Sequence, residues 1–89
     1  MRFRESQNAP PRPIREHDAV RIVKLLKEQR EFTGTTSVAR PPRLGDVATV
    51  CHEYAPGDST AVLAVELVDS DGCTIWLADF EREELEVVP

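Results

Sequence analysis

Val65-Glu66-Leu67-Val68-Asp69-Ser70-Asp71-Gly72-Cys73-Thr74-Ile75-Trp76-Leu77 is the stretch whose reading decides the fold: two apolar runs on either side of a polar turn. A three-residue loop of Ser70, Asp71 and Gly72, with Gly72 taking the positive-φ position of a bulge after a type I turn, sets Asp69 opposite Cys73. Pairing then runs Leu67 with Ile75 and Val65 with Leu77 on one face, with Glu66 beside Trp76 on the other. A register shifted by one would set Leu67 against Thr74 and scatter the apolar set over both faces. The hairpin is therefore predicted with Trp76 pointing away from the core.

Upstream, Leu44-Gly45-Asp46-Val47-Ala48-Thr49-Val50 reads as a turn entering another strand. Strands are predicted near 46–54, 61–69, 73–79 and 85–88, with a turn at Ala55-Pro56-Gly57-Asp58-Ser59 and one helical or 3₁₀ turn at Glu81-Arg82-Glu83-Glu84. Segment 18–26 has two readings. Apolar residues at 19, 22, 23 and 26 behind Asp18 fit an amphipathic helix, whereas the β-branched Val20, Ile22 and Val23 fit a strand. Periodicity alone favours the helix. Residues 27–43 contain Thr33-Gly34-Thr35-Thr36-Ser37 and Arg40-Pro41-Pro42-Arg43, so they form a long excursion without regular structure. Residues 1–13 offer only Met1 and Phe3 as large apolar groups and are expected to be a flexible arm on a domain spanning 14–89. Pro10 and Pro13 match the PxxP spacing of polyproline ligands, a short and weak signal.

At 89 residues, 40% apolar and 30% charged, the chain supports one domain with one modest core. No run approaches the roughly 18 apolar residues of a membrane span, and Met1-Arg2-Phe3-Arg4-Glu5 lacks a signal-peptide core, so a cytoplasmic protein is expected. Cys51 and Cys73 are too few for a disulfide scaffold and lie in no zinc-ligand spacing. The charge is divided: residues 1–43 carry +5 and residues 44–89 carry −10. The split fits either a basic arm for an acidic partner, or internal pairing in which Arg21 and Lys24 approach Glu84 and Glu86 across adjacent first and last strands.

The order Asp18-Ala19-Val20-Arg21-Ile22-Val23, the Leu44 to Val50 run, the Val65 to Ile75 hairpin and the closing Glu84-Leu85-Glu86-Val87-Val88 resembles small bacterial proteins catalogued as a domain of unknown function. Their pattern is a first strand, a Gly-Asp-Val-Gly-Thr turn, a Val-Glu-Phe-Val-Asp strand and an Asp-Gly-Lys-Thr hairpin. The likeness covers residues 14–88 and departs at Ala48, where glycine is usual, and in the longer 27–43 excursion. It implies a five-stranded, mainly β, SH3-like barrel, which makes 18–26 a strand, and it implies no catalytic residues. Barrels of this shape bind peptides, nucleic acids or other domains.

The residues themselves favour binding over chemistry. His17 and His52 have no visible triad partners, and Cys51 and His52, as strand neighbours, should face opposite ways, so no enzyme is expected. Counting a calcium loop from Asp69 places Cys73 fifth and Phe80 twelfth, neither a suitable ligand, so Asp69 to Gly72 is a turn and neither metal nor cofactor is expected. Trp76 and Tyr54, flanked by Asp79 and Glu66 and walled by the 27–43 excursion, form the expected groove for an unidentified protein or peptide partner, one with a basic or arginine-bearing segment. Phe80 at the same strand end and Glu53 add to it. The alternative for the indole is burial under the excursion, with Phe32 or Val38 as partners. On the groove reading, Trp76→Ala leaves folding nearly intact and abolishes partner capture. The alternative function is nucleic-acid binding through Arg40, Arg43, Lys27 and Arg30, with Arg21 and Lys24 alongside and Arg2, Arg4, Arg12 and Arg15 trailing; the acidic half that carries most strands opposes it.

Overall fold

The computed structural model describes residues 14–55 and 62–89; the expected arm at 1–13 and most of the turn at 55–59 lie outside the described residues. Five antiparallel strands form one sheet: β1 (Ala19–Ile22), β2 (Val47–Glu53), β3 (Val62–Val68), β4 (Thr74–Glu81) and β5 (Leu85–Val87), in the order β4-β3-β2-β1-β5. A single 3₁₀ turn, Arg82–Glu84, precedes β5. The small, five-stranded, mainly β fold with one 3₁₀ turn before the last strand is as expected, but the sheet is not closed into a barrel: its edge strands β4 and β5 are not hydrogen-bonded to each other. Segment 18–26 is a strand only to Ile22; beyond it the Val23 and Lys24 amides both donate to the Glu84 carbonyl as the chain leaves the sheet.

Alternation decides which side chains go inside. Val20 and Ile22 from β1, Ala48 and Val50 from β2, Leu63 and Val65 from β3, and Trp76, Ala78 and Phe80 from β4 share one core with Ile14 and Leu85. The turn at the β3–β4 hairpin is as expected. The Asp69 amide donates to the Cys73 carbonyl at 2.9 Å, Gly72 has φ +83°, and the Asp69 carboxylate accepts the Asp71 and Cys73 amides.

The register beyond that turn corrects the sequence reading. Val68 pairs with Thr74, but Leu67 then pairs with Trp76, so Ile75 is an extra residue in β4 and a bulge reverses every later side chain. Trp76, at 0% exposure, is inside rather than outside, and Leu77 and Asp79 face out. Continuing without the bulge would have brought Asp79 opposite Leu63 in the core and left Phe80 in water. Burial of an indole and a phenyl ring, packed 5.4 Å apart, outweighs the local irregularity. Nor is the indole capped by Phe32 or Val38, both of which are at least partly exposed; it belongs to the main core, and its Nε1–H donates to Asp46 at 3.0 Å.

A second bulge lies between Val50 and His52. It overturns the expectation that Cys51 and His52 face opposite ways: the Cys51 thiol meets Glu66 at 3.6 Å and the His52 ring packs edge-on against Tyr54, both outside the core. It also turns Glu53 towards the core side, where Arg82 stands 3.6 Å away.

Tryptophan emission from the folded protein is expected to be blue-shifted and protected from quenchers, and Trp76→Ala to cost about 3–5 kcal/mol in urea unfolding. A variant of near-native stability would place the indole outside the core.

Candidate functional site

With Trp76, Ala78 and Phe80 pointing inward, β4 presents Leu77 and Asp79 on its outer face beside Ala64 of β3. The bulge in β2 places His52 opposite Ala64 and carries Tyr54 past Val62 on this same face. Ala64 is small and almost fully buried, so it forms a floor rather than a ridge.

The excursion supplies the facing wall. Thr33 and Leu77 exchange both backbone hydrogen bonds, at 3.0 and 2.7 Å, and Thr35 and Arg40 add bonds to the Thr74 and Ile75 carbonyls. The segment thus covers the open edge of β4 like a partial strand. Gly34 permits the approach: a Cβ there would lie 2.6 Å from the Ile75 carbonyl oxygen and 2.9 Å from the Ala39 Cβ.

Two carboxylates fix this wall. Glu84, fully buried, accepts the Leu26 amide at 2.8 Å, Arg30 Nη2 at 2.5 Å and the Glu81 amide at 2.9 Å. The Arg30 guanidinium lies over the Phe80 ring, 4.1 Å from its centre, while its Nε and Nη1 find no acceptor among the described residues. Asp46 accepts a bidentate pair from Arg40 at 2.9 and 3.0 Å, the Arg43 amide at 3.0 Å and the Trp76 indole. Burial by itself would raise both carboxyl pKa values. The hydrogen bonds from Leu26, Arg30 and Glu81 hold Glu84 below its ordinary value instead, and those from Arg40, Arg43 and Trp76 do the same for Asp46.

Between wall and sheet runs a groove of about 650 Å³ lined by Arg30, Glu31, Phe32, Thr33, Tyr54, Ala64, Leu77, Ala78 and Asp79. That volume suits a few side chains of a ligand. Phe32, Tyr54 and Leu77 are exposed large apolar groups gathered around it. The Tyr54 hydroxyl donates to Asp79 at 3.1 Å, which raises the phenol pKa. With Arg30 neutralised by Glu84, the groove retains Glu31 and Asp79, neither in an ion pair among the described residues.

Of the groove residues expected from sequence, Tyr54 and Asp79 meet, and Glu66 lies on the same face, opposite Leu77, where it accepts the Thr74 hydroxyl. Trp76 is withdrawn from the groove by the bulge, and Phe80 and Glu53 face the core side. Leu77, Phe32, Glu31 and the Ala64 floor were missed; the parity of Phe80 and Asp79, which fixes what must face out of β4, was the signal for Leu77. The basic set is scattered among partners. Arg30 and Arg40 are held by Glu84 and Asp46, Arg21 pairs with Glu86 at 3.2 Å, and Lys24 pairs with Glu83 at 3.4 Å, while Lys27 and Arg43 are exposed. For Cys51, burial and the neighbouring Glu66 push the thiol pKa up. Among the described residues no cluster of three His, Cys, Asp or Glu could hold a metal ion, and no helix is long and apolar enough to cross a membrane.

No family model matches the chain, and neither a curated protein nor a solved structure matches it.

Arg30→Met, which strands Glu84 without its cation, is expected to cost about 3–5 kcal/mol, and the Arg30→Met/Glu84→Gln double variant less than the sum of the two single losses. Additivity in urea unfolding would deny the coupling. Because both folded-state pKa values lie below the ordinary 4.5 of Glu84 and 3.8 of Asp46, their stabilisation is complete above those values and is lost as pH falls through the lowered ones. Unfolding midpoints should therefore be flat above about pH 5 and drop below it, less steeply in Arg30→Met.

Proposed function

We propose that this protein is a non-catalytic interaction module, a small accessory or inhibitor protein, which holds an arginine- or lysine-bearing segment of a partner protein in the groove. The observation that carries the reading is the gathering of Phe32, Tyr54 and Leu77 with Glu31 and Asp79, neither in an ion pair among the described residues, between the sheet and a wall tied to the core. Aromatic and aliphatic side chains give a ligand contact area at little entropic cost, and the two carboxylates select its charge. The engagement of Arg30 and Arg40 by carboxylates weighs against the nucleic-acid alternative, since two of its four expected contacts are already occupied. A cytoplasmic setting goes with this reading, because an exposed thiol such as Cys51 persists reduced there.

The test is an amide chemical-shift titration with a short peptide of alternating arginine and proline, set against the same peptide with glutamate for arginine. Shifts at Phe32, Thr33, Tyr54, Leu77 and Asp79 with the arginine peptide alone are expected, weakening about tenfold in Asp79→Lys and falling with added salt. Equal response to both peptides, or a response at Lys27 and Arg43 to an RNA oligomer instead, overturns the reading.

A further inference from the structure

Across β2, β3 and β4 the outer face carries one row in register, His52 beside Ala64 beside Asp79. With neighbouring strands about 4.8 Å apart, the two outer members stand about 10 Å from each other with only a methyl group between them. Tyr54 bridges the two. Its ring meets the His52 ring at 4.8 Å in a T-shaped contact, and its hydroxyl donates to Asp79 Oδ1 at 3.1 Å. An aromatic ring and a carboxylate are thereby held side by side at the groove, while Tyr54 stays half-exposed.

This pair distinguishes one basic side chain from the other. A lysine ammonium is a compact, strongly hydrated point charge, and it must shed water to sit against Leu77, Ala64 and Phe32. A guanidinium is weakly hydrated, lies flat on an aromatic ring, and donates from its edge to a carboxylate in the same plane. Glu31, on the facing wall, has no hydrogen bond or ion pair among the described residues, so it attracts either cation through charge alone. Discrimination therefore falls on the carboxylate that is fixed against a ring. Arg30 lines the groove as well, but its side chain is 7% exposed and its charge is met by Glu84.

We propose that the groove selects arginine over lysine, and that Tyr54, with Asp79 hydrogen-bonded to it, is the residue that makes the distinction; the proposal rests on the reading that the groove takes a basic segment.

The experiment measures the affinity of two peptides of equal length and charge, one alternating arginine with proline and the other lysine with proline, for the native chain and for Tyr54→Leu. Tyr54 is half-exposed and outside the core, so the variant is expected to unfold at nearly the native midpoint. The expected result is about tenfold tighter binding of the arginine peptide by the native chain, falling to less than about twofold in Tyr54→Leu, with the lysine peptide changed little by the substitution. Equal affinity of the native chain for both peptides overturns the selection of arginine and leaves the groove reading standing. A preference that survives in Tyr54→Leu overturns the role of Tyr54. Failure of both peptides to bind the native chain removes the groove reading and this proposal together.

Discussion

The groove depends on a carboxylate that never touches it from the solvent side. Glu84, at the end of the 3₁₀ turn, receives the Leu26 amide and the Arg30 guanidinium and so catches the chain just after it leaves β1. A charge pair so deeply buried does little for net stability relative to a packed apolar pair, yet it is costly to break from one side. What it provides here is position. Arg30 is held between Glu84 and the Phe80 ring, and Glu31, Phe32 and Thr33 follow it directly into the wall. Asp46 repeats the arrangement at the other end, tying Arg40 and the Arg43 amide to the Trp76 indole. Between these two anchors the backbone of Thr33 and Thr35 runs along β4, and a stretch rich in turn-forming residues acquires a fixed course.

The strand plan was legible because each strand carries its own alternation and each turn its own punctuation. The Asp69 to Gly72 turn was readable down to individual hydrogen bonds. The two bulges were not, since an extra residue in one strand leaves no composition signal at the turn from which pairing is counted. Its mark lies farther along: Phe80 and Asp79 have the parity that puts Trp76 inside once the whole of β4 is required to bury its aromatics. Tyr54 and Asp79 were correctly associated for a reason independent of register, their position at strand ends beside the excursion. Leu77 was lost with the register, and Phe32 was considered only as a cover for the indole and not as part of the groove.

The charge division resolves into specific pairs. Arg21 with Glu86 follows from the β1–β5 pairing, as the sequence reading anticipated, and Lys24 meets Glu83 one residue short of the acids named for it. Glu84 takes Arg30 instead, six residues further along the chain, because the excursion folds back across the 3₁₀ turn. Four cations of the first half, Arg21, Lys24, Arg30 and Arg40, are thereby paired with acids of the second, and Glu31 and Asp79 at the groove are in no ion pair among the described residues.

The claim on which the account turns is that the excursion is an ordered wall held by Glu84 and Asp46. Amide hydrogen exchange at Leu26, Thr33, Thr35 and Leu77 tests it most directly, since each of these amides is satisfied only if the excursion is in place. Protection approaching that of the central strands β2 and β3 is the predicted result. Exchange of Leu26, Thr33 and Thr35 at the rate of an open loop, with β2 and β3 fully protected, would contradict it.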